Sequence, residues 1–408
     1  MTSQTAKETQ KTPTRSIALL ALAGFASQAQ VRVTDSLLPQ IAADFDASVG
    51  AAAIVVTAYA VAHGSVQLLI GPLGDRFGKY LTITLTAAVS AILVMLCGLA
   101  QSLTQLALAR LMAGAAAGWI IPLSMAFVGD VSPYERRQPV LARYLMGQIF
   151  GQLFGQAAGG VLGDLMGWRN VFFLLGGLFT LATAGLVFEL LTNPAMRAPG
   201  RPETASRGFV ADYTAVLSDR FARIVILAVL VEAAFGWGAF TYVGADLNQR
   251  FGLGFTAVGL IVGAFGVGGL VYAGAVAPLV NFFGQRGLAI GGALLCTLAY
   301  LTLATGTAWW LAPIAVGMIG LGFYALHNTL QTNATQMTPR ARGTAVAIFS
   351  SAIYLGQTSG VAVGAFIFDR FTAVPMFLAT AVVLPALAWW FARELSKADH
   401  RGQTPEDG

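Results

Sequence analysis

The chain has 408 residues, 56% of them apolar and 11% charged, with a mean hydropathy of +0.70; a soluble domain carries about 25% charged residues. That balance excludes an ordinary water-soluble domain, and two cysteines, Cys97 and Cys296, both in apolar surroundings, exclude a disulfide framework. The formal net charge of +5 invites a nucleic-acid reading, which the placement of the charges argues against.

Alternating apolar blocks and short polar loops predict twelve crossings, segments 1 to 12. They cover 16–38, 49–71, 80–101, 103–127, 140–163, 169–191, 224–246, 255–279, 287–307, 309–334, 343–367 and 371–393. Gly287 to Pro339 contains no Asp, Glu, Lys or Arg, enough for two spans of about 20 residues each. Segment 1 is too long for a signal h-region and reads as a retained span. With both termini in the cytoplasm, 19 of the 24 Lys and Arg lie inside. Arg169, Arg250 and Arg370 fall outside, and Arg32 and Arg110 lie within spans. That asymmetry is the positive-inside rule, so the basic balance reads as topology and no nucleic-acid partner is expected.

The chain repeats itself. Residues 71–79 read Gly-Pro-Leu-Gly-Asp-Arg-Phe-Gly-Lys, and 206 positions later residues 277–285 read Ala-Pro-Leu-Val-Asn-Phe-Phe-Gly-Gln. Pro133 and Arg136 recur as Pro339 and Arg342. With one residue of slip, Gly151, Gln152, Gly155, Gly159 and Asp164 recur as Gly356, Gln357, Gly360, Gly364 and Asp369. Three matches in order make a duplicated six-helix unit the better account. The predicted fold is an all-α integral membrane protein, with twelve transmembrane helices in two six-helix pseudo-repeats. The predicted organisation is an N-terminal bundle over 1–192, a cytoplasmic linker over 193–223 with a surface helix around Val210 to Leu217, and a C-terminal bundle over 224–408. Two similar halves in a membrane leave a path between them, which points to transport.

Gly71, Leu73, Asp75, Arg76, Gly78 and Lys79, between segments 2 and 3, match the pattern GxLaDrxGrk. The chain in this respect resembles the major facilitator superfamily, over nearly its whole length. Tyr80 replaces a usual second base. The resemblance implies that Asp75 and Arg76, with Gly71 and Gly78, form a conformational gate at the cytoplasmic ends of helices, with Arg136 and Arg137 as candidate partners of Asp75. Leu106 to Gly118, with Arg110, looks like the family's second motif, and Asp35-Ser-Leu-Leu-Pro39 resembles the twelve-helix drug:proton antiporter branch. The antiporter pattern in segment 5 has a proline where this chain has Gln156, so the kink that proline would give is not expected.

Four ionisable residues fall inside predicted spans: Arg32 and Asp35 in segment 1, Arg110 in segment 4 and Glu232 in segment 7. A lone charge in a bilayer is expensive, so such residues face a cavity or a partner. Arg32 and Arg110 both lie roughly 10 Å deep, counting helical rise from the outer ends. In the family's fold segments 1 and 4 line the central cavity, so an Arg32–Asp35–Arg110 cluster is expected. It reads either as a structural neutralised group or as a proton-linked, substrate-contacting one. Asp35, Glu232 and Arg110 are the candidates for proton coupling, with Arg32 a substrate contact.

Segment 5 sets Gln148, Gln152 and Gln156 at four-residue spacing beside Gly147, Gly151, Gly155 and Gly159. The glycines suit close helix contact, and the glutamines form a polar ridge facing a cavity or another helix. Gln152, Gln156 and Gln357 join Trp237 and Tyr242 of segment 7, and Tyr324, His327 and Asn328 of segment 10, as candidate substrate contacts. Aromatics with a few amides make an adaptable pocket. His63 and His327 read as hydrogen-bonded helix contacts more readily than as haem ligands.

No cofactor is expected, and with no GxxxxGK[ST] loop in the chain ATP is not the energy source. The leading expectation is a monomeric, proton-coupled exporter of small organic compounds in the bacterial inner membrane. An uptake carrier or facilitator for a metabolite, with an organic anion as a candidate, is the alternative. A membrane-embedded enzyme would need clustered His, Cys or carboxylates, which the sequence does not supply.

Overall fold

Residues 14–70, 78–132, 134–197, 209–338 and 341–402 are described in a computed structural model. In hydrocarbon every backbone N–H and C=O must be paired within its own segment, so apolar runs of this length become helices. Twelve long helices lie among the described residues. They are α1 (Thr14–Asp44), α2 (Val49–Gln67), α3 (Lys79–Gly98), α4 (Leu103–Val131), α5 (Tyr134–Met166) and α6 (Trp168–Thr192). The second six are α7 (Arg220–Phe251), α8 (255–283), α9 (285–305), α10 (Ala312–Ala334), α11 (Arg342–Arg370) and α12 (Val374–Gly402). A further helix, Phe209–Ser218, occupies the linker, and its Tyr213 hydroxyl donates to the Leu68 carbonyl at the end of α2.

The helices run longer than the apolar segments that announce them. α1 continues through Pro39, six residues past its predicted end at 38, and α5 starts at Tyr134 instead of 140. Polar residues at membrane edges lower the hydropathy without breaking helical hydrogen bonding. α8 and α9 are one continuous run over Phe255–Thr305 except at Gly284, whose φ of 63° bends the chain. Gly78, the residue 206 positions earlier, has φ 85° and starts α3. Both echo glycines adopt positive φ, which a side chain resists.

Glycine stripes bring the helices of each half together. Gly151 and Gly155 of α5 lie on the Phe25 and Ala29 carbonyls of α1, and Gly356 and Gly360 of α11 lie on the Leu230 and Ala234 carbonyls of α7. The termini of the two units are stapled alike. Arg15 pairs with Glu189 at 3.2 Å between α1 and α6, and Arg220 pairs with Glu394 at 3.5 Å between α7 and α12. Arg220 and Glu394 lie one repeat, 205 positions, after Arg15 and Glu189 respectively.

The two units meet along α5–α8 and α2–α11. On the face opposite the termini each meeting is closed by an aspartate at the end of one helix binding the start of the other. Asp164 Oδ2 of α5 accepts from the Thr256 hydroxyl (2.6 Å) and amide (3.3 Å) of α8. Asp369 of α11 accepts from the Ser48 hydroxyl (2.6 Å) and the Gly50 amide (2.8 Å) at the start of α2. A helix N-terminus presents unpaired N–H groups and a positive partial charge, which suits a carboxylate. Beneath the Asp164 contact, Gly160 and Gly259 cross so closely that a Cβ on Gly259 would sit 2.7 Å from the Gly160 Cα. Gly160→Leu is therefore expected to hold α5 and α8 apart on this face. Cysteine-crosslinking between the two helices should fall in this variant; crosslinking at the parent level would show that the crossing does not control closure.

Candidate functional site

Charged and polar side chains gather between the two units, supplied by α1, α2 and α5 from one half and α7, α10 and α11 from the other. Arg32 and Asp35 stand one turn apart on α1, with 3.8 Å between Arg32 Nη1 and Asp35 Oδ2. Both are almost wholly buried. The Arg32 guanidinium carbon sits over the Trp237 ring of the other unit, 3.3 Å from its centroid. A desolvated cation on an indole face is worth about 2 kcal/mol or more. Trp237 is packed among Phe240, Phe265 and Phe323, with centroids 4.8 to 5.5 Å away.

Around this pair lie groups whose hydrogen bonding the protein leaves incomplete. Arg32 Nε and Nη1, both Asp35 oxygens and both Gln156 amide atoms have no hydrogen-bond partner within the protein, and Gln156 neighbours the Asp35 carboxylate. Tyr324 of α10 donates to Gln152 Oε1 of α5 at 3.3 Å, a direct link between the units. His63 of α2 is held between the Tyr59 ring (5.4 Å) and the Tyr354 ring of α11 (4.3 Å), with neither ring nitrogen bonded to protein. It is a helix contact as expected, but one made by stacking. Unpaired buried donors and acceptors cost about 1–3 kcal/mol each, so their convergence suits a polar guest at the junction of the two units. No trio of His, Cys, Asp or Glu that could hold a metal occurs among the described residues.

Arg110 departs from its expected place. Its Nε donates to the Val55 carbonyl (3.1 Å), Nη1 to the Gln30 carbonyl (3.1 Å) and Nη2 to the Thr34 hydroxyl (3.4 Å), and it lies over the Tyr59 ring at 4.1 Å. The guanidinium thus ties α4 to α1 and α2 and makes no ion pair with Asp35, because the carbonyls of α1 and α2 meet it first. The expected three-residue cluster is a pair, Arg32–Asp35, with Arg110 behind it.

Glu232 of α7 has no opposite charge nearby on its own helix and finds its partner on another. Its Oε2 lies 2.8 Å from Nδ1 of His327 on α10, and His327 lies parallel to Phe323 at 5.0 Å. Sequence reasoning treated the two residues separately because 95 positions divide them. Asn328 donates to the Tyr272 hydroxyl of α8 at 2.9 Å. Gln357 is buried on α11 with Oε1 unpaired. Tyr242 gives its hydroxyl to the Val361 carbonyl at 2.7 Å and stacks on Phe368, so its polar group is engaged in the α7–α11 seam and not turned to the central cluster. Gly71, Asp75 and Arg76 lie outside the described residues, and of Arg136 only the backbone, in α5, is described. Lys79, last in the same motif, pairs with Asp130 at the end of α4 at 2.7 Å. Gln30, Tyr59 and Tyr354 were missed; of these, Gln30 carried a signal, an amide two residues from Arg32 in an apolar span.

A separate cleft of about 180 Å³ lies among α7, α11 and α12, lined by Ala234, Gly238, Gly360 and Thr380 among others, and no charged group lines it.

The Major Facilitator Superfamily model matches residues 20–326 and 226–408. The chain belongs to the major facilitator superfamily. It is 25% identical over 371 residues to the uncharacterized MFS-type transporter YwfA of Bacillus subtilis (strain 168), covering 90% of this chain and 89% of that protein. It is 23% identical over 359 residues to a probable sugar efflux transporter of Helicobacter pylori (strain ATCC 700392 / 26695), covering 87% and 88% of the two chains. A bacterial homolog of the human lysosomal transporter Spinster, solved in an inward-facing and unoccupied conformation, shares the fold with a TM-score of 0.70. That match has 19% identity and covers 94% of this chain and 98% of the other. The protein is therefore a multi-pass membrane transporter of this superfamily, built of twelve helices in two related units.

Proposed function

We propose that this transporter exports small organic compounds in exchange for protons, by alternating access between bundles spanning residues 1–192 and 224–408, joined by a linker over 193–223. The observation that carries the reading is the charged cluster of Arg32, Asp35 and Gln156 against Trp237 and Tyr324, at the contact of the two units. Carboxylates buried there and at Glu232 can carry a proton only if they exchange it with an aqueous side as the units rock. Relatives named for efflux support the direction: the sugar efflux relative, and the multidrug export protein EmrB of Haemophilus influenzae (strain ATCC 51907 / DSM 11121 / KW20 / Rd), 32% identical over 155 residues, 38% of this chain and 30% of that protein. With both termini in the cytoplasm of a bacterial cell, the face latched by Asp164 and Asp369 is the extracellular one, and the motif with Asp75 and Arg76 gates the other. The transporter works as a monomer in this reading.

Gln156 at the antiporter proline position and the unpaired nitrogens of Arg32 favour a second reading, an uptake carrier or facilitator for an organic anion.

The test uses purified protein in liposomes with a pH-sensitive dye trapped inside and a proton gradient imposed. Lipophilic cations, neutral antibiotics, sugars and organic anions are added in turn. A compound-dependent proton leak is the expected result; compound movement without proton flux would establish a facilitator instead. Glu232→Gln should insert normally and reduce the leak to the level of empty liposomes. Full flux in that variant would transfer the carrier role to Asp35.

A further inference from the structure

Two charged sites in different units are joined by an aromatic wall. Arg32 of α1 rests on Trp237 of α7 at 3.3 Å. Trp237 meets Phe323 of α10 at 4.8 Å between centroids, and Phe323 lies parallel to His327, 5.0 Å away with an interplanar angle of 10°. His327 Nδ1 closes on Glu232 Oε2 at 2.8 Å. A line of contacts therefore runs from Asp35 through Arg32, Trp237, Phe323 and His327 to Glu232. Glu232 and Trp237 share α7, while Phe323 and His327 stand one turn apart on α10, so both the pair and the wall ride on the same two helices.

We propose that Glu232 and His327 hold the transported proton as one unit, and that the charge of this unit sets, across Trp237 and Phe323, how firmly Asp35 holds Arg32. The inference rests on the proton-coupled reading above and adds to it the accepting pair and its link to the substrate side.

The balance needs one proton and no electrons. With His327 neutral and its Nδ1–H donated to the Glu232 carboxylate, the pair carries one negative charge. A proton added at His327 Nε2 or at Glu232 makes the pair net neutral. The His327 side chain keeps 14% of its surface accessible and that of Glu232 1%, so the imidazole is the port through which a proton reaches the carboxylate. The second carboxylate oxygen, Oε1, has no hydrogen-bond partner in the protein. The groups facing the pair from neighbouring helices are the Cys296 thiol of α9, directed to the Ile319 carbonyl, and the ring of Phe349 from α11, 5.8 Å from His327. Neither brings a compensating positive charge. The negative pair therefore draws Arg32 onto the wall, and the neutral pair releases it to Asp35, because charges in a low-dielectric interior act on one another across the wall, whose steps are 3.3, 4.8 and 5.0 Å. The structure records the wall-held arrangement: 3.3 Å from Arg32 to the Trp237 centroid and a long 3.8 Å to Asp35.

The experiment titrates tryptophan emission of the full chain in lipid nanodiscs between acid and alkaline pH, with no added compound. The chain has 7 tryptophans, so the difference between the parent and Trp237→Phe isolates the relevant emission. A one-proton transition is expected in the parent, absent from Trp237→Phe, Glu232→Gln and His327→Gln. In Asp35→Asn the transition should persist and move to lower pH by about one unit, a tenfold change in proton affinity. The sign follows from Arg32 losing its competitor and leaning on the wall, which favours the charged form of the pair. Should His327→Gln fail to fold, Glu232→Gln carries the same test, and Asp35→Asn leaves the pair and wall untouched. A transition that survives both pair substitutions, or one that Asp35→Asn does not move, overturns the proposal. The titration needs no substrate, so it is read separately from the liposome assay. Proton-coupled flux with an unmoved Asp35→Asn transition would remove the link and leave the transport reading standing. The expected emission changes with no compound-driven proton flux would leave a proton-binding pair without a transport role, and would also overturn the proposal.

Discussion

Arg110→Ala is expected to lower stability by about 3–5 kcal/mol, the range for large buried truncations that also strand polar groups. The guanidinium joins α4 to carbonyls of α1 and α2 and fills the space over Tyr59, and it is fully buried. Removing it leaves a hole and withdraws donors from the Val55 and Gln30 carbonyls and the Thr34 hydroxyl. Lysine should recover little, because a single ammonium cannot reproduce a planar fork that reaches three acceptors on two helices. Thermal unfolding of the purified protein in detergent measures this directly. A parent-like melting temperature combined with lost proton coupling would return Arg110 to the coupling role that its position in the sequence first suggested.

The second large effect concerns the paired latches. Asp164→Ala combined with Asp369→Ala is expected to shift the transporter toward states open on the face opposite the termini. Hydrogen bonds to a carboxylate are worth about 1.5–3 kcal/mol in protected sites. These are partly exposed, so about 1 kcal/mol each after solvent screening is a fair allowance. Together they amount to about 2 kcal/mol, roughly 30-fold in the ratio of closed to open. Either single substitution should move the ratio by about half as much in energy, because the latches sit at separate seams and add. Spin-label distances across this face, with labels on α2 and α11 and then on α5 and α8, report the populations. Distances that stay at the parent values in the double variant would show that glycine packing at Gly160 and Gly259 closes the face without the carboxylates.

Much of the architecture was legible in the residues. Helix number and approximate limits follow from apolar runs, because a bilayer admits few alternatives to a helix. The offset of about 206 residues foretold real structural pairs as well as matching letters: Gly78 with Gly284 at positive φ, and Asp164 with Asp369 at the two latches. The repeat also relates Arg15–Glu189 to Arg220–Glu394, which was not read because the partners of each pair are more than 170 residues apart. The glutamine ridge of α5 was visible as a pattern, but the sequence did not say which residues it would meet.

The sequence by itself determined the family, the helices, the duplication and the presence of Arg32, Asp35 and Glu232 in apolar surroundings. Each of these is a local property, fixed by hydropathy, glycine placement or spacing along one helix. Tertiary structure decided the partners. It gave Arg110 to backbone carbonyls, set Arg32 on Trp237, joined Glu232 to His327 and drew Tyr242 into a helix seam. The physical reason is that a buried charge takes the nearest groups able to replace water. In a twelve-helix bundle those groups come from helices distant in sequence, whose depth and rotation no local pattern records.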